Sequence, residues 1–281
     1  MEMRDVRAIG SHGQNVWHKP RDENPVSIQL GRGELMARNT AVTVVTNFRS
    51  ADVQAGGQGA PLAPLLHQKL FRNENEDRAI LNLGGIANLT ILPSTGAVTG
   101  FDCGPANCLL DAWTRRHLQK DYDNNGNWAA RGRVNTALLE QMLQDPYFSQ
   151  PAPKSTGLEY FNMSWLENML DDSGLDEVDV QATLVELTAR GIALSLPDSD
   201  LPARLLVCGG GVHNNYLMRR IAATLPDMVV ESTARYGADP DWVESLLFAW
   251  LARERLHERS QDTTSITGAD RPVLLGDIYL P

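Results

Sequence analysis

Runs of apolar residues divide the chain into short predicted strands and helices. Ala41 to Thr46 is almost wholly apolar and rich in β-branched residues, which is typical of a buried strand. Residues 79–83 and 86–92 are two apolar runs joined at Gly84-Gly85, and this pattern predicts a hairpin. Between 243 and 251 the apolar residues recur at every third or fourth position, which predicts a helix with one apolar face.

The remaining pattern predicts a mixed α/β chain. Strands are predicted at 6–11, 28–30, 98–102, 205–208 and 228–231, helices at 34–39, 61–71, 104–119, 136–143, 161–170, 182–196, 214–225 and from 239 onward, and a glycine-rich loop at 47–59. From residue 79 the order is three strands, a helix, an insert, and then alternating helices and strands. This order predicts the ribonuclease-H-like half of a two-lobed, actin-like α/β fold. Residues 1–77 would form part of the first lobe and residues 78–281 the second, and the C-terminal segment is a candidate to return to the first lobe.

Composition narrows the class of protein. The chain has 281 residues, 42% of them hydrophobic, and a formal net charge of −10, which is typical of a soluble globular protein and disfavours nonspecific binding to nucleic acid. Three cysteines without metal-like spacing argue against a disulfide framework or a structural zinc site and fit the cytoplasm. We expect neither a membrane span nor a signal peptide, because no long apolar run occurs.

Two glycine clusters could bind phosphate or a nucleotide. At Gly84-Gly85 the bare backbone of a hairpin tip could approach a phosphate closely, although an ordinary turn would use the same residues. At Gly209-Gly210-Gly211 a strand ends and a helix begins, an arrangement that suits a flat ligand or a phosphate but also suits a tight turn. The spacing matches neither the dinucleotide fingerprint nor the P-loop.

Four polar residues outside these clusters are candidates for chemistry. Asp52 is the one carboxylate in the loop after a buried strand, so it could be a general base, or it could cap the turn. His12 and Gln14 also follow a strand and suit sugar hydroxyls, although taken alone the segment is more simply explained as a loop with a locally hydrogen-bonded histidine. Glu244 lies near the start of the helix predicted from Asp239, on its polar edge, and could bind substrate or only favour the helix dipole.

Together these segments resemble the anhydro-N-acetylmuramic acid kinases of bacteria. The resemblance is carried, in family order, by Ser11-His12-Gly13-Gln14, Phe48-Arg49 through Asp52 to Leu62, Leu81 through Thr90, Gly100-Phe101-Asp102 with Gly104-Pro105 and Asn107, Pro153 through Gly157, Cys208 through Gly211 with His213-Asn214, and Asp241-Trp242-Val243-Glu244. Each piece alone is weakly specific, whereas the combination is highly specific.

The resemblance implies a sugar kinase. Such an enzyme opens 1,6-anhydro-N-acetylmuramic acid with water and phosphorylates O6 with ATP and Mg²⁺, giving N-acetylmuramic acid 6-phosphate and ADP in peptidoglycan recycling. By the same match Asp52 is the catalytic base, the sugar is bound by His12, Gln14, Gly56, Gly57, Gln58 and Glu244, and the nucleotide by Gly84, Gly85, Asn88, Asp102, Gly209, Gly210, Gly211 and Asn214. The resemblance does not assign any metal ligands, and it leaves open whether the protein forms a homodimer. The alternatives are another sugar kinase of the superfamily or an inactive nucleotide- or sugar-binding fragment.

Three departures from the family pattern lie in the first lobe. The family has a Gly-Thr-Ser-type phosphate loop before the segment at Ser11, and this sequence begins just upstream of that segment. We therefore expect a first lobe truncated at its N-terminus, with weak turnover or none. The family usually has an acidic residue where Asn47 stands and Gly-Asp where Gly31-Arg32 stands, and both changes are expected to affect geometry more than chemistry.

Overall fold

The computed structural model describes residues 5–19, 26–152, 154–170, 174–197 and 200–281. The chain forms two compact units. The first unit contains residues up to Leu70, Ala97–Thr99 and Trp242–Pro281, and the second contains Phe71–Gly96 and Gly100–Asp241. The assignment of sugar binding to one lobe and nucleotide binding to the other stays a prediction.

The described residues form strands and helices whose bounds are as follows. The strands are β1 Ile9–Gly10, β2 Gln14–Lys19, β3 Val26–Leu30, β4 Val44–Thr46, β5 Arg78–Leu83, β6 Ile86–Leu92, β7 Thr99–Pro105, β8 Arg204–Cys208, β9 Val229–Ser232 and β10 Asp277–Tyr279. The helices are α1 Gly33–Thr40, α2 Ser50–Gln54, α3 Ala63–Phe71, α4 Asn107–Leu118, α5 Thr136–Leu143, α6 Pro146–Ser149, α7 Met163–Leu170, α8 Glu177–Leu194, α9 Asn215–Thr224, α10 Val243–Leu256 and α11 Thr264–Thr267.

The first unit is built on a small sheet whose central strand is β4. This strand pairs in parallel with β1 and antiparallel with β10, and all three of its residues are buried. Its β-branched residues Val44, Val45 and Thr46 suit such a strand, because they pack well on a pleated surface. Strands β2 and β3 form a separate antiparallel pair, on which Trp17 and Leu30 are exposed.

The second unit is built on a five-stranded sheet in the order β7-β6-β5-β8-β9. Strand β5 pairs antiparallel with β6 across the predicted hairpin and in parallel with β8, which pairs in parallel with β9. Three strands in sequence on one side and two parallel strands on the other give the ribonuclease-H-like order predicted from the sequence, and the α/β fold class is confirmed.

Helix α8 lies at the centre of the helical layer of the second unit. It packs against α4, α5 and α9, and twelve of its residues are buried. Four of these buried residues are polar, and the side chain of each makes a hydrogen bond, as buried polar groups require: Gln181, Thr183, Glu186 and Thr188. In the described part of the chain, no helix combines the length and the apolar character needed to cross a membrane.

Several predicted elements of the first unit were wrong. The predicted loop at 47–59 contains helix α2, and strands β2 and β10 were not predicted. The last long helix begins at Val243 and not at Asp239, because the Asp239 carboxylate accepts from the amide of Asp241 in a turn before the helix. Strand β1 is also shorter than the predicted strand at 6–11.

Candidate active site

The carboxylate of Asp52 lies at a fully buried position in the first unit. Helix α2 carries the residue, and its exposed fraction is 0%. The amide of Gly59 donates to Oδ2 at 2.6 Å, and the hydroxyl of Thr267 donates to Oδ1 at 2.8 Å. Each carboxylate oxygen therefore accepts a hydrogen bond, which offsets part of the cost of burying this polar group.

The glycines around Asp52 make room for this carboxylate. A Cβ on Gly57 would lie 2.3 Å from Oδ2 of Asp52, which no side chain could tolerate. Gly59 has a φ of +69°, a conformation that other residues rarely adopt, and Gly56 has a φ of +82°. The amide of Gln58 donates to the carbonyl of Thr267 at 3.0 Å. The structure therefore brings the predicted residues 52 and 56–58 together beside α11.

Arg49 connects the predicted residue His12 to this group. Its Nε donates to Nε2 of His12 at 2.9 Å, and Nδ1 of His12 lies 2.9 Å from the carbonyl of Gly13. The ring therefore accepts at Nε2 and donates at Nδ1, which is a neutral tautomer. Burial, and then the charge of Arg49, hold the pKa of His12 below its usual value. Burial lowers the pKa of Arg49, whereas the charges of Glu244 and Asp52 raise it.

Two other predicted sugar-binding residues are exposed. Gln14 lies on β2, and its amide is 3.5 Å from the carbonyl of Asn15. Glu244 is exposed in the first turn of α10. A cavity of about 260 Å³ lies next to His12 within the first unit; it is lined by Ser11, His12, Gly13, Ser27, Ile28, Gln29, Gly31, Thr46, Asn47 and Tyr279. Asp52 is not part of its lining.

A row of polar side chains crosses the sheet of the second unit. Asn82 on β5 lies opposite Asn88 on β6, and their side chains are joined by a hydrogen bond of 3.3 Å. Asn88 also donates to the Asp102 carboxylate on β7, which accepts from the amide of Thr156 at 2.9 Å. The pKa of Asp102 is raised above its usual value, mainly by burial. The two hydrogen bonds oppose this shift, and the charge of Glu159 adds to it.

The tip of the β5–β6 hairpin is fixed to the start of helix α4. The carbonyl of Gly84 accepts from the amide of Asn107, and the carbonyl of Gly85 accepts from the amides of Ala106 and Cys108. The Asn107 side chain also donates to the Gly84 carbonyl at 2.8 Å. The predicted phosphate loop is therefore a rigid part of the second unit, and its carbonyls point toward the helix.

The three glycines after β8 differ in their surroundings. Gly209 has a φ of +81°, and a Cβ there would lie 2.4 Å from Oδ1 of Asn82; a Cβ on Gly211 would lie 2.6 Å from the side chain of Leu83. A Cβ on Gly210 would meet nothing within 4 Å. Only Gly210 therefore presents open backbone, whereas its neighbours are required for packing. The Asn214 side chain caps α9 by accepting from the amide of Leu217 at 3.0 Å.

The segment that follows Pro153 supports Asp102. Pro153 itself lies outside the described residues. The carbonyl of Lys154 accepts from the amide of Asp102 at 2.9 Å, and the Lys154 ammonium donates to the carbonyl of Tyr147 at 3.1 Å. The hydroxyl of Tyr147 donates to the carbonyl of Asp102 at 2.9 Å. The predicted insert therefore holds the backbone on both sides of this carboxylate.

Comparison with known proteins identifies the family. A family model described as anhydro-N-acetylmuramic acid kinase matches residues 1–281. The chain belongs to the anhydro-N-acetylmuramic acid kinase family. It is 51% identical over 280 residues to the anhydro-N-acetylmuramic acid kinase of Xanthomonas axonopodis pv. citri (strain 306), covering 99% of this chain and 75% of that protein. It is 47% identical over 277 residues to the enzyme of the same name from Coxiella burnetii (strain Dugway 5J108-111), covering 98% of this chain and 74% of that protein.

Solved structures align less closely. The activator of the 2-hydroxyisocaproyl-CoA dehydratase from Clostridium difficile with bound ADPNP is 13% identical at a TM-score of 0.41, covering 78% of this chain and 71% of its own. The family alignments confirm the prediction of an anhydro-N-acetylmuramic acid kinase. They give no support to the predicted truncation of the first lobe.

Several residues of this family member that contact the predicted site were not assigned from the sequence. Thr267 lies 215 positions from Asp52 in an unremarkable Thr-Ser-Ile-Thr turn, so no local pattern could have indicated it. Arg49, Asn82 and Thr156 all stand within the segments that carry the family resemblance. Their side-chain chemistry next to Asp52, Asn88 and Asp102 could have suggested them.

Proposed function

We propose that this chain is an ATP-dependent kinase that opens the 1,6-anhydro bridge of 1,6-anhydro-N-acetylmuramic acid with water and phosphorylates O6. The products are N-acetylmuramic acid 6-phosphate and ADP, and the role is in recycling of the cell wall. Membership of the family supports this reading over another sugar kinase or an inactive fragment. The observation that carries the chemistry is a buried carboxylate, Asp52, fixed by a donor on each oxygen.

In the proposed reaction Asp52 takes a proton from water while the oxygen of that water attacks the anomeric carbon. The bond between the anomeric carbon and O6 breaks, O6 bonds to the γ-phosphorus of ATP, and the bond from that phosphorus to the β-phosphate oxygen breaks to release ADP. The proton on Asp52 returns to solvent after the products leave. Positioning and charge stabilisation supply most of the remaining catalysis in phosphoryl transfer.

Because Asp52 is fully buried, it can act as a general base only if water reaches its carboxylate. A general base must come within hydrogen-bonding distance of the proton that it removes, and Asp52 has no exposed surface. Because each oxygen still has a free lone pair beside its single donor, the carboxylate can accept from water once a neighbouring group moves aside. We propose that sugar binding displaces part of the 56–58 segment for this purpose.

The second unit is proposed to bind ATP. The open backbone at Gly210 and the rigid hairpin at Gly84-Gly85 suit a nucleotide, which must lie close to the main chain. Magnesium in such sites is held by one or two carboxylates together with the phosphates of the substrate, and the Asp102 carboxylate on β7 is a donor of that kind. When bound, the ion would neutralise charge on the phosphates. In the described part of the chain, no group of three or more potential metal ligands occurs.

The expected surroundings of the protein also remain proposals. Cys103 and Cys208 are buried and Cys108 is partly buried, and none of the three forms a disulfide in the described part of the chain, which fits a cytoplasmic location. The partners are proposed to be the amino sugar and ATP, without nucleic acid or membrane. A homodimer stays a prediction.

The test is an ADP-coupled assay with 1,6-anhydro-N-acetylmuramic acid. In ¹⁸O-labelled water the label should appear on the anomeric carbon and not in the phosphate, and an ordinary sugar kinase would incorporate none. Asp52→Asn should abolish turnover, whereas Asp121→Asn, at an exposed site of the second unit, should retain it. Full activity of Asp52→Asn would rule out the base assignment.

A further inference from the structure

Arg49 is a partly buried cation beside the proposed base, and it does not contact Asp52 directly. Its guanidinium donates from Nε to His12 and from Nη1 to the carbonyl of Gly59 at 3.1 Å. Burial lowers the pKa of Arg49, and a buried charge is tolerated only where its partners offset the loss of water. Packing alone therefore does not explain why a positively charged side chain lies at this position.

Gly59 lies between Arg49 and Asp52. Its carbonyl accepts from Arg49, and its amide donates to Oδ2 of Asp52 at 2.6 Å. The amide and the carbonyl of Gly59 flank the same Cα, so the φ and ψ angles of Gly59 set their relative directions. Glycine has the widest conformational freedom of any residue, so its amide keeps one direction only if other contacts fix the backbone.

The residue at position 59 cannot be stiffened by a side chain. Its φ is +69°, and a Cβ there would lie 2.9 Å from Val53 and 3.2 Å from Cβ of Arg49. The backbone must therefore be fixed from outside, and the bond from Arg49 to the carbonyl does this. His12 holds the other edge of the guanidinium, because the neutral ring accepts at Nε2.

We propose that Arg49 is a positioning residue that directs the Gly59 amide onto Asp52 and so fixes the carboxylate for proton abstraction. The inference rests on the proposed function of Asp52. A planar guanidinium can donate in two fixed directions at once, to His12 and to Gly59, whereas a lysine ammonium is a single point on a flexible stem. The arrangement therefore requires arginine rather than only a positive charge.

The test compares Arg49→Met, which keeps an unbranched stem but no donor, with Arg49→Lys. Arg49→Met should lower kcat by about 10- to 100-fold and leave KM for sugar and ATP within about twofold, because only the orientation of the base changes. The Gly59 amide should exchange with solvent hydrogen at least about tenfold faster than in the wild type. Arg49→Lys should recover part of kcat through a single bond to the Gly59 carbonyl.

The matched control is Arg38→Met, which removes an exposed arginine paired with Glu34 on α1 of the same unit. It should change neither kcat nor Gly59 exchange. The inference is overturned if Gly59 exchange is unchanged in Arg49→Met, if KM rises as much as kcat falls, or if Arg38→Met has the same effects. A wild-type chain without turnover would contradict the proposed function, and Gly59 exchange would still decide the role of Arg49.

Discussion

The hydroxyl of Thr267 donates to Oδ1 of Asp52 across 215 positions of sequence. The same oxygen of Thr267 lies 3.1 Å from the carbonyl of Thr263, one turn earlier in the chain. A hydroxyl has one proton, so donating to Asp52 means leaving the bond to that carbonyl. The buried carboxylate is the stronger acceptor because it is charged, and this contact ties the C-terminal segment to helix α2.

Replacing Thr267 by valine keeps the shape of the side chain and removes the donor. We expect Thr267→Val to lower the free energy of unfolding by about 1–3 kcal/mol, because a buried carboxylate loses a partner. Turnover should fall by about tenfold as Asp52 gains freedom. Thr267→Ser keeps the hydroxyl and should stay near the wild type in both denaturant titration and the ADP assay. Equal behaviour of Val and Ser variants would contradict a role for the hydroxyl.

The glycines after β8 allow packing and ligand binding to be separated. Gly210→Ala should leave the melting temperature nearly unchanged, since a Cβ there meets nothing within 4 Å, and should raise KM for ATP by about tenfold if a nucleotide lies on this backbone. Gly209→Ala should lower the free energy of unfolding by about 2 kcal/mol or more, because of its φ of +81° and its contact with Asn82. Unchanged ATP kinetics in Gly210→Ala would count against nucleotide binding at this site.

Much of the second unit could be predicted from sequence because its elements carry their own periodicity. Helix α5 has the predicted bounds Thr136–Leu143, and the hairpin turns at the predicted glycines. The first unit lacks such signals. Strand β2 is mostly exposed and shows no alternation, and β10 pairs with β4 more than two hundred positions earlier. Such pairings depend on tertiary contacts that a local pattern does not contain.

The candidate site likewise contains some residues that could be predicted from the sequence and others that could not. Asp52 could be predicted because a lone carboxylate follows a buried strand, and its surrounding glycines are visible in the sequence. The donor from Thr267 could not be, because α11 is only four residues long and its threonines resemble any capped turn. Asn214 was predicted from the sequence to bind the nucleotide, but in the structure its side chain caps helix α9. Capping alone explains why an asparagine stands there, without any ligand.

Helix α1 offers a test of one departure from the family pattern. Arg32 occupies the N-cap position and makes no capping hydrogen bond, and the family usually has aspartate there. Arg32→Asp should raise the free energy of unfolding by about 1 kcal/mol, because a carboxylate caps the first amides and favours the helix dipole. Arg32→Ala removes the charge without adding a cap and should gain less in a denaturant titration. A gain as large in the alanine variant would show that capping is not the cause.

His67 should make the protein sensitive to mild acid. It lies on α3 with 3% of its surface exposed, and burial lowers its pKa from 6.5 to about 3. Below pH 6.5 His67 is therefore protonated in the unfolded chain, whereas in the folded chain it stays neutral down to about pH 3. The contribution of this residue to the free energy of unfolding is fully present above pH 6.5 and is lost as the pH falls. Between pH 6 and 4 the wild type should lose about 1.4 kcal/mol per pH unit more than His67→Gln in denaturant titrations. His257→Gln, at an exposed position, should keep the wild-type slope, and the same slope in His67→Gln would show that burial of this imidazole does not set the acid response.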